Sequence, residues 1–470
     1  MSNTASKWVA GLFIVGALGV GVPWSIGHKV ESDFRAAIAA APDHYPYPVS
    51  LLRYERGLFS SVAETQQMFD IGPDPDDITI DDDGNPVMPP SRLVPLTLHH
   101  AISHGPRLDG IRLVRFVNTL KLEGNLQKAV SRVFGTAEPV TLTVDIGFGG
   151  GASGALVSPA VDTTLPADGD AKASHILWSG LTGRFSMNGD HLIASLDAPG
   201  LKIDDNAFVI GPVTMKTDLT AVADTVWTGT FGSTFASFSA NGAAGAVSLS
   251  DLHVDSDTTD TSGILHSGAT VTFKEMRFNE VSVSDSRLRL MLDRIGTQAL
   301  AELSRTLNRY TAQQAGKTPD ATDLQRMFDA MKPSLAALAT RQPIFAVEDL
   351  SFTSPQGKVQ FSGQVQYLGD GNFEDFAVGT DVAAGAKLAA PLALIDLMLQ
   401  MRASKAVIPG PDGEPIQLSA EQIAASAQAS RDGAIAQGLL TVDGDRASTV
   451  VEFKGGTLTV NGKPLGAQPI

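Results

Sequence analysis

KVQFSGQVQY, residues 358–367, is the stretch that decides the fold class. Val359, Phe361, Val365 and Tyr367 fall on one side of an extended chain, Gln360, Ser362, Gln364 and Gln366 on the other, with Gly363 on the apolar side. Successive strand side chains point to opposite faces, so this segment is a strand with one dry face and one wet face. The same alternation recurs at Val271 and Phe273, Met276 and Phe278, Val281 and Val283, and Leu288 and Leu290. Buried parallel strands read instead as unbroken apolar runs, so the pattern predicts an antiparallel sheet covered on one side.

Working outward, strands are expected over Val49–Ala63, Leu96–Ile102, Ile111–Leu122, Val140–Phe148 and a long series from His175 to Val283. Asn188-Gly189, Asn241-Gly242 and Asn461-Gly462 are tight-turn signals, because both residue types tolerate positive φ. A closing hairpin joins Thr449–Lys454 to Thr457–Val460 through Gly455-Gly456. Helical spacing appears from Leu292 at Ile295, Leu300, Leu303 and Leu307, and again at Leu324, Met327, Phe328, Met331, Leu335 and Leu338. A further helix starts at Pro391, suited to a first turn, and carries Leu394, Ile395, Met398 and Met401. The fold class is α+β, mostly antiparallel β, with a large twisted sheet body and packed helices.

Trp8–Gly27 carries no charge and as a helix would reach about 30 Å, the thickness of a bilayer's hydrocarbon. Trp8 and Trp24 stand near its ends, where indoles favour the membrane interface. A single N-terminal transmembrane helix is the expectation, with Lys7 and the amino terminus inside. A cleaved signal peptide competes, with small residues at Ala37, Ala39 and Ala41, as does a buried helix. A short Ala-rich helical continuation over Glu31–Ala41 should end at Pro42. The expected organisation is a cytoplasmic stub at 1–7, the membrane helix at 8–27 and a β-rich exported region at 28–290. A helical insertion at 291–342 and a β-rich C-terminal region at 343–470, with a helix at 391–405, complete it.

Lys and Arg total 35 against 51 Asp and Glu, a formal charge of −16 that repels nucleic acid phosphates. Cysteine is absent, which excludes disulfides, thiolate metal sites and cysteine nucleophiles.

Candidate sites each meet a plainer reading. Tyr54, Glu55 and Arg56 could bind a carboxylate or phosphate, but an arginine paired to a neighbouring carboxylate where the first strand joins the sheet is the favoured explanation. Of His99, His100 and His104, only His100 and His104 share a strand face, too few for a metal site. The acidic run Asp74, Asp76, Asp77, Asp81, Asp82 and Asp83 lacks the ligand spacing of a calcium loop, and Asp255, Asp257 and Asp260 fit turn chemistry. Gly149, Gly151 and Gly154 spell G-x-G-x-x-G, but β-branched residues follow where a phosphate-binding helix is needed. No nucleophile elbow, phosphate loop or zinc-protease helix occurs, and no cofactor is implied.

Tyr54, Arg56, Gly57, Phe59 and Ser60, following the uncharged stretch, resemble the aromatic-x-Arg-Gly-x-Phe-Ser signature of the YdgA-like bacterial proteins, a family of unknown function. His104, Gly105 and Pro106 are similar to a turn which that family carries after its next strands. The Phe134-Gly135 step, the helix at Pro391 and the closing hairpin ending at Pro464 extend the likeness over nearly the whole chain. Leu58 departs from it, standing where many relatives carry Trp. The resemblance implies an inner-membrane protein with its bulk in the periplasm, and no reaction.

The functional expectation is therefore a non-enzymatic, membrane-anchored envelope protein. Its apolar sheet face would hold lipid or another hydrophobic client, or serve as a scaffold, unless the predicted helices cover that face. An anchored periplasmic hydrolase is the alternative. Membrane contact through the N-terminal helix is expected and nucleic acid is not; homo-oligomerisation stays open.

Overall fold

In the computed structural model, residues 22–465 are described, apart from 71, 73–78, 81–85, 88–91, 106–111, 168–171, 205–206, 243–244, 280, 316–320, 374–375, 405–407, 410–414 and 417. They form two units: one takes the chain up to Ala236 with Asp257–Leu265 and Gly296–Ala337, the other Ser237–Ser256, His266–Ile295 and Leu338–Ile470. This division differs from the sequential one read from the sequence, because it falls inside long strands.

The first unit opens with helix α1, Val22–His44, followed by strands β1 (Val49–Arg56), β2 (Ser60–Asp70), β3 (Leu93–His104), β4 (Val114–Lys121), β5 (Thr141–Ile146) and β6 (Ala152–Ser158). Helix α2, Gly124–Phe134, sits between β4 and β5. Next come β7 (Leu181–Asn188), β8 (His191–Ala198), β9 (Val213–Ala223) and the first part of β10 (Val226–Gly242), with a side ladder of short strands between 161 and 210. Every neighbour in the series from β1 to β10 pairs antiparallel, as the alternation required.

Directly paired residues share a face. One row across this sheet runs Ala63, His100, Asn118, Leu142, Leu156, Gly183, Leu196 and Met215. Where β1 to β5 lie, α1 covers that face: Ile26 and Val30 are buried with Ala63, Ile102, Val114 and Phe116, and Phe34 packs against them. Ile26, Val30 and Phe34 recur every four residues, which puts them on one helical stripe.

Helices α3 (Thr297–Gln314) and α4 (Ala321–Ala339) complete this unit. The C-terminal end of α1 is tied to α3, since Arg309 donates to Asp43 at 2.7 Å and Arg305 to Asp224 at 2.9 Å, with His44 3.5 Å from the same Asp224. The Arg309 guanidinium holds the Asp43 carboxyl below its usual range. Asp224 is only 13% exposed, Asp43 30%. Exposed pairs contribute little and shielded ones leave a stranded charge when broken. We therefore expect Asp224→Ala to cost roughly 2 kcal/mol in urea unfolding, and Asp43→Ala under about 1 kcal/mol.

The second unit holds most of β11 (Gly245–Asp260), β12 (Ile264–Phe278) and β13 (Val281–Gly296), then β14 (Ile344–Ser354), β15 (Gly357–Tyr367), β16 (Val382–Pro391), β17 (Arg446–Lys454) and β18 (Thr457–Val460). From β13 to β18 each strand pairs antiparallel with the next. The 358–367 stretch is an antiparallel strand, as read, and in its register Val365 lies between Phe345 and Ala384, and Phe361 between Leu350 and Leu388. Helices α5 (Leu392–Ser404) and α6 (Ala420–Ala436) pack on each other, each burying one alanine, Ala403 and Ala427.

Several boundaries differ from expectation. Val49–Ala63 is two strands, turned at Gly57, whose N–H donates to Ser60 O at 2.7 Å. A Cβ on Gly57 would stand 2.8 Å from that same oxygen, so only glycine closes the turn. Helix α1 runs from Val22 through Pro42 to His44, so Pro42 does not stop it where expected, and the Asp43–Arg309 ion pair holds that last turn. Leu292 and Ile295 belong to β13, so the helical segment begins at Thr297 rather than 291. Pro391 is the last residue of β16, opposite Arg446, and the helix starts after it.

Only the C-terminal end of the expected membrane segment, residues 22–27, falls within the described residues. No helix among the described residues is long and apolar enough to cross a membrane. Trp8 and the rest of residues 8–21 lie outside the described residues, as does the Trp24 side chain. Ile26 and Gly27, placed in the span by the sequence reading, instead lie against the sheet core.

Candidate functional site

The signature residues converge on the socket that receives α1. Tyr54 stands 5.7 Å from the Phe34 ring and under the Arg35 guanidinium, and burial pushes its phenol up. Arg56 pairs with Glu31 at 3.2 Å and contacts His28, both on α1. At the hairpin, His104 N–H donates to Phe59 O at 3.0 Å. Gly105, at φ +100, donates to Leu113 O. Leu58 and Phe59 form the exposed tip, and Ser60 opens β2. Pro106 lies outside the described residues.

Beneath α1 the sheet carries two polar contacts that the sequence reading missed. Ser61 Oγ lies 3.1 Å from His104 Nε2, and each residue is 2% exposed. Thr65 Oγ1 lies 2.8 Å from His100 Nε2, whose Nδ1 is 2.6 Å from Asn118 Oδ1. Asn118 spends its amide N–H on Leu142 O, so its oxygen faces His100 and receives the Nδ1 proton. Thr65 then donates to Nε2 of a neutral ring. The available signal was Ser61, Thr65, His100 and Asn118 falling on the apolar side of their strands.

Burial lowers the His100 pKa below its ordinary 6.5, with the Asn118 bond opposing it. As pH falls below 6.5 the unfolded chain takes up a proton that the folded ring refuses, so stability is full above that pH and declines until the folded pKa is passed. The melting temperature should drop between about pH 7.5 and 5.5, and drop less in His100→Gln, by calorimetry.

A serine 3.1 Å from an imidazole has the makings of a nucleophile and base. Here it is sealed: a Cβ on Gly27 of α1 would stand 2.7 Å from His104 Cε1, leaving no room for substrate. His99 points to the other face, toward Glu64 at 3.9 Å. Among the described residues no group of three or more acidic or histidine side chains could hold a metal ion. Every aspartate of the acidic run, Asp74 to Asp83, lies outside the described residues, while Asp260 accepts from Thr297 and from Gly263 N–H at the foot of α3. The glycine run forms the turn at Gly147–Gly151 and then β6, in which Gly154 leaves space for the Phe185 ring.

Beyond α1, among the described residues, the same sheet face is only half-buried. Leu142, Leu156, Phe185, Leu196, Met215 and Phe231 line an open groove of about 380 Å³. The opposite side presents Ser186, Asp197 and Asp218 to water. The second unit has a groove of its own, about 280 Å³, lined by Phe345, Val347, Phe361, Val365, Val451 and Phe453. Phe345 is 49% and Val365 47% exposed, so this face too is left uncovered there. An apolar sheet face ordinarily meets a second layer.

These features define an α+β protein, mostly antiparallel β-sheet. Within that class, the chain belongs to a bacterial protein family of unknown function, DUF945, whose family model matches residues 6–467. No curated protein and no solved structure matches it.

Proposed function

We propose that the protein is a single-pass, membrane-anchored envelope protein whose uncovered sheet face binds acyl chains or a similar hydrophobic client. The observation that carries this reading is the change along one face of the first unit, packed beneath α1 at one end and open over Leu156, Leu196 and Phe231 at the other. The groove volume falls in the ~300–1,000 Å³ range of small-ligand sites. Its lining suits a partner with no polar demands, and each buried methylene contributes about 0.8 kcal/mol. The anchor rests on the uncharged residues before α1. With Ile26 in the core, Trp8–Ser25 is left for lipid, roughly 27 Å as a helix.

Native mass spectrometry and lipid extraction of the full chain, purified in a mild detergent, test the groove. Acyl lipids bound in defined ratio to the protein support it, and a lipid-free chain refutes it. Alkaline extraction of membranes tests the anchor: the chain should stay in the pellet, and release into the supernatant would count against it.

A further inference from the structure

The β1–β2 hairpin ends in two large apolar residues that stay largely exposed among the described residues, Leu58 at 51% and Phe59 at 62%. Turn tips ordinarily carry small or polar residues, so an adjacent Leu-Phe pair there calls for a partner. The tip's position suggests which. Arg56, one residue before the turn, touches His28 and Glu31, and His104, bonded to Phe59 O, abuts Gly27. The hairpin therefore stands beside the N-terminal end of α1, where the chain leaves the uncharged stretch Trp8–Gly27.

A second apolar loop lies at the same end of the sheet. His104 pairs with Val114, Val114 with Ile146 and Ile146 with Ala152, so the turn joining β5 to β6 closes at the strand ends that carry the hairpin. Phe148 in that turn is 53% exposed. At about 4.8 Å per strand it lies roughly 15 Å from the tip.

We propose that Leu58, Phe59 and Phe148 form a rim that dips into the surface of the lipid bilayer holding the anchor, seating the first unit on the membrane at more than one point. A bulky apolar pair next to an entering membrane segment meets the acyl boundary without any change of fold, and interfacial burial of such side chains is favourable. The inference rests on the anchored reading.

The chain lacks cysteine, so single labelling sites can be placed at will. L58C, F59C and F148C, with E123C as control, would each be labelled with an environment-sensitive fluorophore on the full chain in phosphatidylcholine nanodiscs. Glu123 follows the far end of β4, roughly 25 Å away along the strand. The expected result is a blue shift and quenching by acyl-brominated lipid at 58, 59 and 148, and neither at 123. Emission at 58 and 59 as solvent-like as at 123, or a blue shift without bromolipid quenching that disappears on dilution of the chain, overturns the rim; the latter would mean a second copy covers it. Flotation with liposomes separates this failure from that of the anchor: a chain that floats without quenching loses only the rim, and one that does not float loses both.

Discussion

Gly27→Leu should lower the urea-unfolding free energy of the chain by about 2–3 kcal/mol, the upper part of the range for overfilling a packed core. The cost arises at one contact. His104 lies with its ring against the α1 backbone at Gly27, where even a β-carbon would come within 2.7 Å of Cε1. His104 is 2% exposed, bonded to Ser61 and fixed at the end of β3, so it has nowhere to retreat. Helix α1 must then lift, withdrawing Ile26 and Val30 from the cluster they share with Ile102 and Phe116. A double-mutant cycle identifies the contact: in a His104→Ala background the same leucine should cost at least about 1 kcal/mol less, because the space has been opened. Additive costs would mean that the helix is not seated on His104.

Leu196→Asp should leave the fold standing and cut bound lipid roughly tenfold or more, measured by mass spectrometry against a circular-dichroism check of folding. Leu196 lies in the middle of the open groove, opposite Gly183 on β7 and Met215 on β9. Leu196 itself is only partly buried by the protein, so a carboxylate there keeps access to water and the fold loses little. An acyl chain laid over it would desolvate that charge without offering a partner, a cost well above the 1.4 kcal/mol that equals a factor of ten. Ser186→Asp, on the solvated face of β7 and outside the groove lining, should change nothing.

Much of the architecture was legible because strand alternation reports a face directly. The 358–367 stretch showed the face, and Phe361 and Val365 do line the apolar groove. Asn461-Gly462 showed a turn, and Val460 pairs with Lys463 around it with both turn residues at positive φ. Other features were hidden for identifiable reasons. In Val49–Ala63 the turn is tight and its tip apolar, so no polar cluster broke the run. Helix α6 is rich in Ala and Ser with little apolar contrast, yet Ser419 and Gln422 form a capping box whose sequence signature was present. The Ile26-Val30-Phe34 stripe was masked by its overlap with the uncharged segment, which drew attention to lipid rather than to protein.

The grooves could be read only as an expectation, since alternation shows that a face is apolar and not whether another element covers it. The Ser61–His104 and Thr65–His100–Asn118 contacts depend on register across three strands, which spacing within one strand does not show.

The most direct measurement of the central claim is photo-crosslinking of the full chain with a diazirine-bearing fatty acid, followed by peptide mapping. Adducts concentrated on the strands that carry Leu156, Leu196 and Phe231, and lost in Leu196→Asp, are the predicted result. Adducts spread over the solvated face, or none above the level of a denatured control, would contradict it.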